Sequence, residues 1–421
     1  MHVNTTLRQD EIRHVYLREA RSLRPDLPEV SFGATSAGTA DRRRAPVPRP
    51  ATACIEPYVP GKSAEEARQE LGLASVIKLA SNENPLGPSP HALKALAGCL
   101  HELHRYPDGR AAALRKALSE KYGLPADHFL VANGSDGILK LLAEAYLEPG
   151  DEVVVGQPSF SQYSFAARLM GAREVVVPLV DMRHDLPAMA AAIGPRTKIV
   201  FLCNPHNPTG TVVSRDEVER FLEQVPPHVL VVLDEAYAEY VEDPGAANGM
   251  AWVEQSDRSV VVVRTFSKIY GLAGLRVGYA AASPNIIETL SRVQEPFQVN
   301  ALAQVAAAAA LRDQEHVERS RRINQEGKQY FYRRLRELGL EYVPTEANFV
   351  LIDTGQDSRD VFEQLLRRGV IVRPGAPFGL TRHVRVTIGT EEQNQRFFAA
   401  LEEVLGCREP DRALGRPGVA G

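Results

Sequence analysis

Between residues 151 and 281, short apolar runs alternate with segments of helical period. The runs, at 151–155, 174–177, 198–202, 229–233, 259–263 and 277–281, are apolar at nearly every position rather than at every second one. A strand that is apolar on both faces must be covered on both faces, which is the situation of a parallel sheet between two helical layers. Segments 136–146, 161–170 and 216–224 repeat apolar residues at helical spacing and have the length of crossover helices. The middle of the chain is therefore expected to be α/β, with a mostly parallel sheet sandwiched by helices.

The flanks follow other patterns. Residues 1–50 hold a possible short helix, a Gly/Ser/Ala stretch, three consecutive arginines and alternating prolines. Such prolines cannot continue a helix or a central strand, so this part reads as a flexible arm. Asp10, Glu11 and Glu19 argue against a transit peptide. Segment 62–71 is helical by pattern, 77–79 is a short strand, and 91–104 and 110–122 are helical. After residue 300 comes a long helical region, 301–338, then strand 348–353, helix 359–368, strand 384–388 and a last helix 391–405. That order describes a smaller α+β domain, and 406–421 reads as a tail.

Composition removes several classes of function. The net charge of −4 gives no basic field for nucleic acid. No run approaches the eighteen or so apolar residues of a membrane helix, and no secretory signal is read at the start. Cys54, Cys99, Cys203 and Cys407 lack disulfide or zinc spacing, so free thiols in a reducing cytoplasm are expected and no metal is.

Four motifs carry chemistry, each at the end of an apolar run. TFSKIYGLAGLR places Lys268 where an open α/β sheet binds ligands. A lysine is most often a solvated charge, but one desolvated at a sheet edge has a lowered pKa and can act as a nucleophile. LDEAY places Asp234 and Tyr237 at a second strand end, where an aspartate is commonly just a helix cap. CNPHNPTG, 203–210, is a turn rich in Asn, Pro and Gly. ANGSDG opens a helix whose first amides can hold a phosphate, although capped helix starts are far commoner than anion sites.

Together with QPSFSQY and GLAGLRVGY, these motifs resemble the fold type I pyridoxal-phosphate aminotransferases of class I/II. PYVPGK, LASNENPLGPSP, RYPDG, PFQVN and VRVTIGT resemble the histidinol-phosphate branch of that family. The likeness covers about residues 56–405. It implies a large cofactor domain at 91–300, a small one at 301–405, and a segment 51–90 that contributes to the small domain and to the dimer and substrate sites.

The resemblance also implies roles. Lys268 joins the cofactor as an aldimine and shuttles the substrate proton. Asp234 pairs with the pyridine nitrogen. Asn207 and Tyr237 bond the ring's phenolic oxygen, and Phe160 stacks on the ring with Tyr163 nearby. Gly134, Ser135, Asp136, Ser267, Arg276 and, less centrally, Thr265 hold the phosphate. Tyr106 reaches that phosphate from the second subunit of a homodimer. Arg385, Arg373, Tyr58 and Asn84 bind substrate. The implied reaction is ping-pong transamination between L-histidinol phosphate and 2-oxoglutarate, giving imidazole acetol phosphate and L-glutamate in histidine biosynthesis. Alternatives are an aromatic amino acid aminotransferase, a phosphothreonine decarboxylase, or a non-catalytic protein of the same fold. Two positions depart from the pattern: Gly137 stands where an acidic residue is common, and His206 stands where a second Asn is usual.

Overall fold

The structure, a computed structural model, describes residues 47–55, 57, 62–255 and 258–406. Most of the expected arm, Tyr58 and the tail lie outside the described residues. Two units are distinguished, Met1–Tyr58 and Val59–Gly421. In the first, Pro50–Cys54 forms a 3-10 turn. Everything below concerns the second.

The strands are β1 (Ile77–Lys78), β2 (Phe129–Ala132), β3 (Glu152–Gln157), β4 (Arg173–Pro178), β5 (Thr197–Cys203), β6 (Leu230–Asp234), β7 (Val260–Thr265), β8 (Gly278–Ala282), β9 (Glu341–Val343), β10 (Phe349–Asp353), β11 (Val370–Ile371), β12 (Arg373–Pro374) and β13 (His383–Thr387). Seven of them form one sheet in the order β2-β8-β7-β6-β5-β3-β4. The pairs from β7 through β4 are all parallel, and only β8 runs against its neighbours. A mostly parallel α/β sheet is thus what the apolar runs predicted. The reversal of β8 and the existence of β2 were not predicted.

Alternation along the strands builds a core on each face of this sheet. Val154, Val200, Leu202, Val231, Leu233 and Val262 face one side, with Trp252 and Tyr279. Val153, Val155, Ile199, Phe201, Val232 and Val263 face the other, with Leu139, Leu142 and Tyr163. At roughly 25 cal/mol per Å² of apolar area removed from water, burial on both faces is the main term holding the layers together.

The second sheet is antiparallel, β12-β13-β10-β9. Phe331, Leu335, Phe397, Phe398 and Leu401 cover it from the helices Gln314–Glu337 and Glu391–Leu405. β1 pairs in parallel with β11, so the segment before Asn82 belongs to this side. The expected helical region 301–338 is two helices, Ala301–Ala310 and Gln314–Glu337. Asp313 separates them because its side chain accepts from the His316 amide at 3.1 Å, capping the second helix.

Candidate active site

Because β2, β3, β5, β6 and β7 run the same way, their carboxyl ends lie along one edge of the sheet. That edge receives Asn133–Asp136, Phe160, Asn204–Asn207, Asp234–Tyr237 and Ser267–Lys268, which are far apart in sequence. Topology alone gathers the four motifs.

Lys268 is partly buried, and its Nζ donates to the Ser81 carbonyl at 3.0 Å. The amine stands 5.7 Å from the centre of the Tyr237 ring. Burial, and next the charge of Arg385, lower its pKa from 10.5 to about 8. Asp234 is almost wholly buried; one carboxylate oxygen accepts from the Tyr163 hydroxyl at 2.7 Å and the other from the Ala236 amide at 3.2 Å. Two neutral donors do not compensate the loss of water, and burial lifts this carboxyl from 3.8 to about 6. The site thus holds an amine of lowered basicity and a carboxylate with no cationic partner among the described residues. Tyr163 is itself fixed, stacked on Phe201 at 4.8 Å and met edge-on by Phe160 at 5.7 Å.

The helix Gly134–Tyr146 begins with no side-chain cap, so its first amides remain available. Gly134 has φ +76°, and a Cβ there would lie 3.0 Å from the Arg276 guanidinium. Gly278 lets β8 pass the same turn, since a Cβ would come within 2.8 Å of the Ser135 nitrogen. Arg276 itself has φ +56° and pairs with Asp136 at 3.1 Å. Thr265 donates to the Ser267 hydroxyl at 3.0 Å and also accepts from the Ser267 amide, so the Ser267 proton is left for another acceptor. Amides, the Ser267 hydroxyl and a guanidinium around a glycine could together cradle an anion.

Arg385 is buried on β13 and reaches the same sheet edge at Asn207. It donates to Asn207 Oδ1 and, at 2.9 Å, to the Ala80 carbonyl. Arg373 faces Arg385 directly across the β12–β13 ladder, and both guanidinium groups lie about 6 Å from the Phe378 ring. Like charges on one face repel, and an anion beside them would relieve that repulsion.

Asn84 is brought close, but its side chain serves the protein. Its amide donates to the Ile269 carbonyl at 2.7 Å and to Ser320 at 2.9 Å, and its oxygen accepts from the Leu86 amide. Tyr106 is 83% exposed and stacks on Phe297. Tyr58 lies outside the described residues. His206 turns away from the edge, with Nδ1 2.8 Å from the Thr209 hydroxyl and its ring edge-on to His184. Burial keeps both imidazoles neutral, His184 at about 4 and His206 well below its ordinary value. Sequence reasoning missed Asn82, whose amide donates to the Tyr237 hydroxyl at 2.9 Å. It also missed the buried Arg264–Glu235 pair behind Asp234, which a charged residue at the end of an apolar strand could have signalled.

Residues 74–401 match the family described as aminotransferase class I and II. Among curated relatives, a histidinol-phosphate aminotransferase of Moorella thermoacetica is 57% identical over 85% of this chain and 92% of its own length. Another, from Symbiobacterium thermophilum, is 52% identical over 85% and 98%. A solved histidinol-phosphate aminotransferase of Sinorhizobium meliloti, in complex with pyridoxal-5'-phosphate, covers 88% of this chain and 99% of its own with a TM-score of 0.78 and 28% identity.

Proposed function

The chain belongs to the class I and II aminotransferases, and from that premise we propose that it moves an amino group between L-histidinol phosphate and 2-oxoglutarate with pyridoxal phosphate as cofactor. The products are imidazole acetol phosphate and L-glutamate, formed in two half-reactions in the cytoplasm as a step of histidine biosynthesis. The observation that carries the reading is the Lys268 amine, held at about 8 and facing the sheet edge that also bears the buried carboxylate Asp234.

The residues present fit that cofactor. Asp234 has no cationic partner among the described residues, and a protonated pyridine nitrogen would be one. Gly134 carries no side chain to stand between its turn and the Arg276 guanidinium, which a Cβ there would approach to 3.0 Å. Gly134, Ser135, Asp136, Ser267 and Arg276 would hold the phosphate, with Thr265 orienting Ser267. Asn207 and Tyr237 would hold the ring oxygen, and Phe160 would cover a ring face. When bound, pyridoxal phosphate supplies a carbon that an amine can join and a ring that withdraws electrons from it.

The chain's own residues do the rest. Lys268 Nζ would take the proton from the amine-bearing carbon of the substrate and return it to the cofactor carbon on the far side of the amine nitrogen, a task its lowered pKa suits near neutrality. Ser81's carbonyl holds that amine at the edge meanwhile. Arg385 and Arg373 bind the substrate phosphate in one half-reaction and a carboxylate in the other. We place Tyr106 at the phosphate of a partner subunit; its exposure, with that of Leu100, Leu103 and Phe297, supports an apolar face for a second copy.

The test is product formation. Enzyme reconstituted with pyridoxal phosphate should form glutamate from 2-oxoglutarate with histidinol phosphate at a kcat/KM well above that with phenylalanine. Comparable values would move the protein to the aromatic aminotransferases.

A further inference from the structure

We infer that Asn82 is a positioning residue that aims the Tyr237 hydroxyl, and that it does so from the small-sheet side of the site. The inference rests on the cofactor reading above. Asn82 is buried and has φ +56°, a backbone conformation that side chains other than glycine's rarely adopt. Its backbone amide donates to the Thr387 hydroxyl at 2.9 Å, and its carbonyl accepts from Asn348 at 3.0 Å. Both partners flank strands of the antiparallel sheet: Thr387 ends β13 and Asn348 precedes β10.

These bonds settle which way the Asn82 amide points. Since the Thr387 oxygen already accepts from the Asn82 backbone, its proton is free for Asn82 Oδ1, 3.2 Å away. Nδ2 is then the end that meets Tyr237, at 2.9 Å. The Tyr237 oxygen therefore accepts, and no described hydrogen bond uses its proton. That proton is left for the ring oxygen assigned to it above. Accepting from an amide makes the phenol a stronger donor. A stronger donor draws density from the ring oxygen and lowers the proton affinity of the cofactor group beside it, which is what the visible band reports when titrated.

The experiment is a spectrophotometric pH titration of the holoenzyme in a double-mutant cycle. Asn82→Gly keeps the backbone conformation and removes the amide. Its band midpoint is expected to rise by about 0.1–0.3 pH unit, since the Tyr237 bond to the ring oxygen is weakened rather than removed. Asn82→Asp, which fills the same space but accepts, should raise it further. Tyr237→Phe should raise it too, and adding Asn82→Gly to Tyr237→Phe should then change nothing more. An unchanged midpoint in both Asn82 variants, or additive shifts in the double variant, would overturn the inference. If the wild-type protein with pyridoxal phosphate shows no titrating visible band, the cofactor reading itself fails and this inference falls with it.

Discussion

Asp234 is a carboxylate whose only described partners are a hydroxyl and one amide, and the chemistry proposed for it predicts a cost when the cofactor is absent. Its folded pKa of about 6 exceeds the ordinary 3.8. Between those values the folded state holds a proton that the unfolded chain has released, so stability falls as pH rises through them and the full cost is present above pH 6. Asp234→Asn keeps the acceptor without the charge. The cofactor-free variant should therefore melt above the cofactor-free wild type at pH 8, by on the order of 3 kcal/mol, and lose that advantage below about pH 4. Equal melting at pH 8 would contradict this account of Asp234. Lys268 shifts the other way: burial favours its neutral form, so the rate at which cofactor-free protein recaptures pyridoxal phosphate should climb with a midpoint near pH 8. A midpoint near the ordinary 10.5 would show an amine still in water. Both residues were legible in the sequence because strand ends announce themselves. Asn82 and Ser81 were not, because their contacts to Tyr237 and Lys268 span 155 and 187 positions and one is made by a carbonyl that no side chain advertises.

At the scale of elements, the anion cradle depends on a close passage between β8 and the start of the helix Gly134–Tyr146. Ala at position 278 would set a Cβ against three backbone atoms within 2.9 Å, which no rotamer can relieve. Gly278→Ala should lower stability by about 1–3 kcal/mol and weaken pyridoxal phosphate binding, read by denaturant midpoint and by titration of the visible band. Gly137→Ala is the contrast. Its nearest neighbours stand 3.6 Å away, so it should be neutral or gain up to about 1 kcal/mol from helix propensity. A loss at Gly137 equal to that at Gly278 would show that the crowding is not specific to β8. The parallel strands could be read from apolar runs, but the reversal of β8 could not, because an interior strand is apolar whichever way it runs. The break at Asp313 was hidden by helical period on both sides of a single capping side chain.

For the whole molecule, the proposal ties activity to a second copy. If Tyr106 serves the partner's site, Tyr106→Ala and Lys268→Ala chains, each deficient alone, should recover up to roughly a quarter of wild-type activity when unfolded together and reassembled, because half the dimers are mixed and each mixed dimer has one intact site. No recovery would place Tyr106 outside the site. The proposed substrate contacts also belong to this scale, since Arg373 and Arg385 stand on the small sheet, Asp234 ends β6 of the large one, and Lys268 follows the end of β7. Sequence supplied both arginines, but only the ladder places them opposite one another. Arg373→Ala should raise KM for histidinol phosphate by about 10–100-fold, the cost of one charge-assisted contact, with a smaller change in kcat. The most direct test of the central claim is a single half-reaction. Holoenzyme mixed in stopped flow with histidinol phosphate, without any keto acid, should lose its visible band rapidly and fully, and phenylalanine should act much more slowly. A band that persists with histidinol phosphate, or is lost as fast with phenylalanine, would contradict the account.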